Sequence, residues 1–425
     1  MKFGFWELVL LACISLILFG PTVIPRVQHW LRRADQTKRQ VQRQRAAVRR
    51  QMVAEGNAIL HRFQVVTAVL LLGGAVGYTG YLVLHTPALA PLRYTPTTAA
   101  MPLTTAGSAQ TRVLDLAPYE DPLAVAAQDG WLYAAVAGNK IIRVREDGTG
   151  LAEVFSTEGP VTAMTFAPDG SLYLAGGAGL YRASFDGWAV DVKPLLTQLD
   201  GAPLTAPTAL AAAPDGMLYF TQYADVPAMA EDPRQGFFTE LLAHSGTGAV
   251  YGLDPATGEV VQVTGGLSGA GGLAVSADGE TLYLSETNAR RVWQCPVSAR
   301  GEDITQQGSL VLEGLDGYAA GLHRAPDGNV WVAVCGTPVD WVDKMAPHPL
   351  VRKMALNLPR LTQRWLLTPA ADTGWAICFA PDGTLVRAAA VPTPKHGGRI
   401  TGVWETEETI WLANADGRQL YGVMK

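Results

Sequence analysis

The chain has 425 residues, of which 48% are apolar and 17% are charged. This length exceeds a single ordinary core, so the sequence predicts at least two structural units. The composition excludes a wholly disordered protein, and a net charge of −5 gives no broad attraction to nucleic acid. Its 45 glycines and 27 prolines lack a three-residue period, which excludes collagen and indicates many tight turns. Four cysteines in such a length do not form a disulfide framework and are expected as free thiols.

Two uncharged apolar segments near the N-terminus predict a membrane anchor. The first lies between Glu7 and Arg26, and we place a short span at about residues 5–24. A signal peptide is disfavoured, because no small-residue cleavage site precedes Arg26. The second segment, residues 63–84, has 22 residues without a charge and is long enough to cross the hydrocarbon layer. Residues 1–84 are therefore predicted to form an α-helical anchor with two transmembrane helices.

The loop between the two predicted spans is strongly basic. Residues 26–50 hold nine Lys or Arg and one carboxylate, a net charge of +8. Short basic loops stay in the cytoplasm, so everything after residue 84 is predicted to lie outside. A basic amphipathic helix is predicted over residues 26–52, because an apolar residue recurs at every seventh position, namely Val27, Ala34, Val41 and Val48. Three interpretations of this helix remain open: contact with anionic lipid, pairing with a partner helix, or a solvated connection whose cations only set topology.

The first fifty residues also carry a short motif. It consists of Gly4-Phe5-Trp6-Glu7-Leu8, then Phe19-Gly20-Pro21 and Pro25, followed by the basic helix. This arrangement resembles the small helical subunits of the twin-arginine translocase, in which a Phe-Gly-Pro hinge joins a short span to an amphipathic cytoplasmic helix. Since this chain adds a second span and a large outer domain, the resemblance implies a membrane anchor rather than transport.

Beyond a linker rich in Pro, Thr and Ala at residues 85–111, the sequence repeats itself. Each unit has an apolar strand, a polar turn that usually ends in Asp-Gly, and an alternating strand with Tyr or Trp. Six such units predict an all-β fold, a six-bladed β-propeller over residues 112–425, whereas a β-sandwich would lack this repetition. The units are residues 122–133, 161–173, 207–219, 271–283, 321–331 and 400–411.

Further features refine this propeller. Residues 112–116 are expected to pair beside residues 420–424 and close the ring. The turn at residues 381–383 is assigned to the outer strands of the fifth blade, with a seventh blade as the competing count. Long inserts at residues 223–245 and 337–365 are expected on the functional face. The second insert is apolar and is open to two interpretations, a cap over the tunnel mouth or a contact with the membrane or a lipid-like ligand.

Several segments of the propeller carry a family resemblance. Residues 248–261 (GAVYGLDPATGEVV) and 282–293 (LYLSETNARRVW) resemble strictosidine synthase-like proteins. Residues 327–334 and 351–356 resemble the membrane-anchored animal branch of that family. The resemblance covers nearly all of residues 112–425 and implies a six-bladed propeller of the gluconolactonase and paraoxonase type. Many members of that group hold Ca²⁺ in the central tunnel and hydrolyse lactones or esters.

The resemblance also assigns residues to the central tunnel. Thr208 stands where the family has Asn in the third unit, Gly271-Gly272 where it has Asn-Gly in the fourth, and Ala320-Gly321 where it has Asp-Asn in the fifth. Thr401 stands at the position of the catalytic Glu of strictosidine synthase, so Pictet-Spengler chemistry is not supported. The expected tunnel lining is Asp121, Thr162, Thr208, Gly271, Ala320 and Thr401.

This set of side chains argues against a metal site. Ca²⁺ takes about six to eight oxygen ligands, and only Glu120 or Asp121 keeps an acid near the expected place. We therefore predict no metal and no cofactor.

No residue carries a diagnostic catalytic motif. His244, His323, His348 and His396 fall in or near loops on the repeat units. Of these, His244 and His396 are the candidate bases, with Thr or Ser as the nucleophile, and ordinary loop histidines are the alternative. Glu286 is interpreted as the partner of Arg290 or Arg291 in a structural ion pair rather than as a site acid.

Two functions follow from these observations. The first is a binding module for a small molecule or a protein, anchored in the cell membrane with the propeller on the extracytoplasmic side and without the family's metal site. The alternative is a metal-independent hydrolase of small esters or lactones. The expected partners are the membrane and an unidentified small molecule or protein, with no nucleic acid.

Overall fold

The computed structural model describes the following residues: 63–74, 76–78, 80–81, 91–97, 110–177, 179–187, 189–204, 207–226, 232–301, 303–369, 371–394 and 397–425. The chain divides into two units, Met1–Thr86 and Pro87–Lys425. In the first unit all the described residues are helical. Within the described residues, no helix combines the length and the hydropathy needed to cross a bilayer. The predicted span at residues 5–24 and the basic helix at 26–52 lie outside the described part of the chain.

The second unit is a six-bladed β-propeller in which every blade is a four-stranded sheet. A first strand, β1 (Thr111–Asp115), precedes the first blade. From the innermost to the outermost strand, blade 1 contains β2 (Ala124–Gln128), β3 (Trp131–Val136), β4 (Lys140–Arg145) and β5 (Ala152–Ser156), and blade 2 contains β6 (Val161–Phe166), β7 (Leu172–Gly176), β8 (Gly179–Asp186) and β9 (Ala189–Leu196). A short strand pair follows, β10 (Gln198–Leu199) and β11 (Ala202–Pro203). Blade 3 contains β12 (Pro207–Ala212), β13 (Leu218–Gln222), β14 (Gly248–Leu253) and β15 (Val260–Leu267).

The remaining blades repeat this arrangement. Blade 4 contains β16 (Ala270–Val275), β17 (Thr281–Glu286), β18 (Arg291–Pro296) and β19 (Ser309–Leu312). Blade 5 contains β20 (Ala319–Arg324), β21 (Val330–Val334), β22 (Thr373–Phe379) and β23 (Leu385–Pro392). Blade 6 contains β24 (Ile400–Glu405), β25 (Thr409–Asn414) and β26 (Gln419–Met424), with β1 as its outermost strand. A 3₁₀ turn at Ile304–Gln306 precedes β19. The six hairpins predicted from the repeats are the two inner strands of each blade, so the blade count is confirmed.

The ring closes through β1. This strand pairs antiparallel with β26, with Leu114 opposite Leu420, as the sequence predicts. The turn at residues 381–383 joins β22 to β23 within the fifth blade, which excludes a seventh blade. Closure pairs the N-terminal strand of the propeller within a sheet and so removes a free edge.

Small residues line the centre because the innermost strands converge there. A Cβ added to Gly272 would lie 2.1 Å from the carbonyl oxygen of Ala320, and one added to Gly321 would lie 2.6 Å from that of Thr401. Larger side chains fill the spaces between blades, for example Val250, Leu284 and Trp293 between the third and fourth blades. The fold thus places backbone at the axis and the hydrophobic core around it.

The two long inserts form helices. The first insert contains α1 (Pro233–Ala243), whose N-cap Asp232 accepts a hydrogen bond from the amide of Gln235. The second insert contains α2 (Asp340–Lys344), α3 (Pro349–Leu356) and α4 (Arg360–Leu367). We call α1 to α4 the cap. The Gln235 side chain donates to Gln363 Oε1 at 2.5 Å, and an apolar cluster that includes Phe238, Val342 and Leu367 holds the helices together.

Part of the predicted linker packs against the cap. The amide of Leu92 donates to the carbonyl of Ala243 at 2.9 Å. The Tyr94 ring stacks on His244 with ring centroids 3.7 Å apart, and Thr97 Oγ1 donates to the carbonyl of Ala289 at 3.0 Å. Residues 91–97 therefore belong structurally to the second unit.

Candidate functional site

Five of the six innermost strands are bulged close to their N-terminal ends. In each case the pairing register with the next strand shifts near the second residue of the strand. The residues at these shifts are Thr162, Thr208, Gly271, Ala320 with Gly321, and Thr401. A bulge re-aims side chains, and these residues all face one end of the central channel.

A cavity of about 660 Å³ opens at this end of the channel, and we call it the mouth cavity. The propeller supplies its floor, and α1 and α4 of the cap supply part of its wall. The structure brings together here all six residues that the sequence assigns to the tunnel: Asp121, Thr162, Thr208, Gly271, Ala320 and Thr401.

The hydroxyl groups in this ring join neighbouring blades. Thr162 Oγ1 donates to the carbonyl of Pro207 at 3.1 Å, Thr208 Oγ1 to that of Ala270 at 2.9 Å, and Thr401 Oγ1 to that of Leu123 at 2.8 Å. In the fourth blade, where Gly271 has no side chain, Ser285 Oγ donates to the carbonyl of Ala320 at 2.8 Å. These contacts give the hydroxyls a structural role.

The donor set does not fit Ca²⁺. The carbonyl oxygens of Ala270 and Leu123 accept hydrogen bonds from these hydroxyls, and Asp121 accepts one from the amide of Gly417 at 3.1 Å. Within the described residues, no three His, Cys, Asp or Glu side chains are grouped as metal ligands. A hard dication would meet two carboxylates here, Asp121 and Asp232, of which Asp232 is paired with Arg364, and a few hydroxyls, too few for its usual coordination.

Four arginines that were not among the predicted site residues line the mouth cavity. They are Arg234 on α1, Arg360 and Arg364 on α4, and Arg399 just before β24. Asp416 bonds both Arg399, at 2.5 Å, and Arg234, at 2.8 Å. Arg364 pairs with Asp232 at 3.0 Å. The sequence held one indication of three of these arginines. Arg234, Arg360 and Arg364 lie in the two long inserts, which were expected on the functional face.

The remaining wall is mainly apolar. Phe237 of α1 and the buried ring of Tyr223 contribute to it, together with Leu123 and Ala137. Tyr223 donates to Asn288 Oδ1 at 3.3 Å, and burial holds its pKa well above the usual range, so the phenol stays neutral. Thr287, at the end of the Ser285-Glu286-Thr287 motif, also lines the cavity.

The candidate histidine that the structure describes, His244, lies elsewhere. His244 follows α1 in a left-handed conformation, with φ of 49°, and is not among the residues that line the mouth cavity. Burial lowers its pKa to about 3, so the imidazole is neutral. His396 lies outside the described residues.

His323 lies near the end of β20, beside the turn that leads to β21, which agrees with its expected place in or near a loop. Its ring is tilted against Trp404 at 4.2 Å, and burial lowers its pKa to about 3. It lines a second cavity, of about 260 Å³, which runs along the channel from the floor of the mouth cavity and shares Thr162, Thr208, Gly271, Gly321 and Thr401 with it.

Two expectations about structural residues are confirmed. Glu286 accepts from Arg291 Nε at 2.6 Å and from Trp293 Nε1 at 2.8 Å, while Arg290 pairs with Asp343 at 3.1 Å instead. The cysteines of the propeller are buried free thiols, and burial raises the pKa of each to about 11 or 12: Cys295, Cys335 and Cys378. Such thiols are poor nucleophiles at neutral pH.

The fold and the cavity define a six-bladed propeller with a ligand-sized opening at one end of its channel. Residues 119–360, more than half of the chain, match the SMP-30/gluconolactonase/LRE-like region, and the protein belongs to that family.

Relatives and solved structures agree with this assignment. Strictosidine synthase-like proteins 3 and 6 of Arabidopsis thaliana are 23% and 25% identical over 58% and 56% of this chain, and the match spans 61% of each of them. A gluconolactonase from Xanthomonas campestris superimposes with a TM-score of 0.51 at 18% identity, over 80% of this chain and 98% of that one. A calcium-binding regucalcin from Agrobacterium tumefaciens gives 0.50 at 15% identity, over 74% and 93%. At these identities the structures establish the fold alone.

Proposed function

We propose that this protein is a membrane-anchored, extracytoplasmic propeller that binds a small molecule in the mouth cavity without a metal ion. The observation that carries the proposal is the cavity itself. Its volume of about 660 Å³ lies within the range typical of small-molecule sites, and it combines an apolar wall with a few charged groups.

The side chains in the cavity favour binding over catalysis. The threonine hydroxyls donate to neighbouring blades, and the carboxylates Asp121 and Asp232 are engaged with the Gly417 amide and with Arg364. A hydroxyl becomes a nucleophile when a base takes its proton, and here the proton of each tunnel threonine is held by a backbone carbonyl instead. His244, the described candidate base, does not line the cavity.

Blocking the cavity tests this proposal. Ala137 is an exposed residue on its rim, so Ala137→Trp narrows the opening without disturbing the core. Ala189→Trp, on the exposed outer strand β9, is the matched control. The full-length chain in lipid nanodiscs is screened against a library of small neutral and charged compounds by thermal shift. We expect compounds that stabilise the wild type and the control but not Ala137→Trp.

The outcomes separate the alternatives. Turnover of a lactone or aryl ester in excess EDTA, lost in Ala137→Trp, would replace binding by the hydrolase alternative. If no compound in the library needs the open cavity in order to stabilise the protein, small-molecule binding is contradicted. In that case a protein partner becomes the better function for this face.

The anchor is supported by the two uncharged segments and by the +8 loop between them. Its test is cysteine labelling of intact cells with a membrane-impermeant reagent. We expect Thr98→Cys to be labelled from outside and Gln42→Cys to be protected. The reverse pattern would contradict the topology, and labelling of both would contradict the anchor.

A further inference from the structure

We propose that the mouth cavity selects an organic anion, namely a small carboxylate with an apolar body. This proposal rests on the small-molecule function above and specifies the chemical class of the ligand. The carboxylate would meet the guanidinium groups of Arg234, Arg360 and Arg364, and the apolar body would lie against Phe237 and Tyr223.

The charged groups around the cavity carry a net positive charge. Among the described residues that line it, four guanidinium groups face two carboxylates, those of Asp121 and Asp232. Adding Asp416, which lies behind Arg234 and Arg399, still leaves one positive charge in excess. This excess of positive charge favours a ligand of negative charge.

Arg234 has only a share of its carboxylate partner, because Arg399 already binds both oxygens of Asp416, at 2.5 and 2.6 Å. Arg234 and Arg399 share the single carboxylate of Asp416, at 2.8 and 2.5 Å. Arg399 is almost fully buried, with 6% of its side chain exposed, and Arg234 is 30% exposed. Two guanidinium groups close together in a partly dry site repel each other, and an added carboxylate would relieve that repulsion.

Helix α4 presents two arginines one helical turn apart, Arg360 and Arg364. Arg360 and Arg364 both line the cavity, and only Arg364 has an ion-pair partner among the described residues, Asp232 at 3.0 Å. Residues four apart lie on one face of a helix, so their guanidinium groups point in the same direction. An arginine fork binds a carboxylate through two parallel hydrogen bonds, which suits this arrangement.

The apolar part of the lining determines the rest of the ligand. Phe237 and Tyr223 offer aromatic surface, and the Tyr223 hydroxyl is occupied by Asn288. This wall has little to offer a sugar-like ligand with many hydroxyl groups, whereas it suits an aromatic or aliphatic body.

The test compares two ligands of the same shape and different charge. The full-length chain in nanodiscs of neutral lipid is titrated with 2-naphthoate and with 2-naphthamide by isothermal calorimetry. We expect the carboxylate to bind at least about tenfold more tightly, since charge-assisted hydrogen bonds are about twice as strong as neutral ones. Arg360→Gln and Arg234→Gln should each reduce this preference by about fivefold or more, with little change in 2-naphthamide affinity.

The control is Arg182→Gln. Arg182 also pairs with an aspartate, Asp169 at 2.6 Å, but lies on the second blade away from the cavity, so this variant should keep the full preference. If Arg234→Gln unfolds the protein, Arg360→Gln alone decides, because Arg360 has no described ion-pair partner to lose.

The results distinguish this inference from the proposed function. Equal binding of the two naphthalene ligands, both blocked by Ala137→Trp, would overturn the anion preference and leave small-molecule binding intact. If neither naphthalene ligand binds while neutral library compounds bind in the cavity, the anion preference is likewise overturned and small-molecule binding stays intact. Failure of every compound would overturn the proposed function itself.

Discussion

At the scale of single residues, the tunnel threonines show how position changes the meaning of a side chain. In the sequence, Thr208 and Thr401 stand where relatives are expected to carry metal-binding or catalytic groups. In the structure their hydroxyls bond the carbonyls of Ala270 and Leu123 on the next blade. A β-bulge in the innermost strand places each of them at the junction. They hold neighbouring blades together.

Removing one of these hydroxyls should therefore cost stability. Thr208→Val keeps the shape of the side chain and leaves the Ala270 carbonyl and the Thr221 hydroxyl without their partner. We expect the free energy of unfolding to fall by about 1–3 kcal/mol, measured by urea titration. Thr281→Val is the control, because the Thr281 hydroxyl has no hydrogen bond that the structure records. Equal effects of the two substitutions would contradict a junction role.

A buried acid on α1 should make stability depend on pH. Glu240 is fully buried, and burial raises its pKa to about 7 from 4.5, despite hydrogen bonds from the amide and hydroxyl of Ser245 and from Ser268. Between these two values the folded protein holds a proton that the unfolded chain has lost. The contribution to stability is thus complete below about pH 4.5 and disappears as the pH rises through 7.

Glu240→Gln isolates this effect. The difference in free energy of unfolding, variant minus wild type, should increase between pH 5 and pH 8, by more than about 1 kcal/mol. The neighbouring His244 acts in the opposite direction, since its lowered pKa costs stability as the pH falls below 6.5, but it is present in both proteins and cancels. A difference that does not change with pH would show that Glu240 is ionised throughout.

At the scale of elements, the sequence predicted what local chemistry specifies. Hairpins are specified by turn residues within about ten positions, and the closing strand by its alternating pattern, so both were found. The helices of the second insert were not assigned, because α3 and α4 have eight residues each and a period of 3.6 is barely visible over two turns. The arginines of the mouth cavity were missed for a different reason. Arg234, Arg364 and Arg399 are far apart in the chain and meet only when the ring has closed.

The closing strand should contribute strongly to stability through one face. Leu114 in β1 is buried and packs with Leu116 and Trp411, whereas Val113 beside it is 54% exposed. Leu114→Ala should lower the free energy of unfolding by about 2–4 kcal/mol, and Val113→Ala by less than about 1 kcal/mol. Thermal and urea unfolding of both variants check this pair. Similar small losses for both would mean that β1 is frayed in solution.

At the scale of the whole molecule, stability should be independent of Ca²⁺. The mouth cavity offers two carboxylates, Asp121 and the Arg364-paired Asp232, and hydroxyls that are already bonded. Only an ion that binds the folded state well below its free concentration stabilises a protein appreciably. The melting temperature should therefore stay within about 1 °C when excess EDTA is added and when Ca²⁺ is restored. A fall of several degrees that Ca²⁺ reverses would contradict the metal-free propeller.

The pairing of Thr111 with Val423 also has a consequence for biosynthesis. These two residues are 312 positions apart, so β1 emerges from the ribosome long before its partner exists. At about 5–20 residues per second, this interval lasts roughly 15 to 60 s. Throughout that time β1 and the unfinished ring expose free strand edges, which invite pairing with other chains. Blades can form as they emerge, but the ring can only close after synthesis has passed β26, so chaperones would have to shield these edges until then.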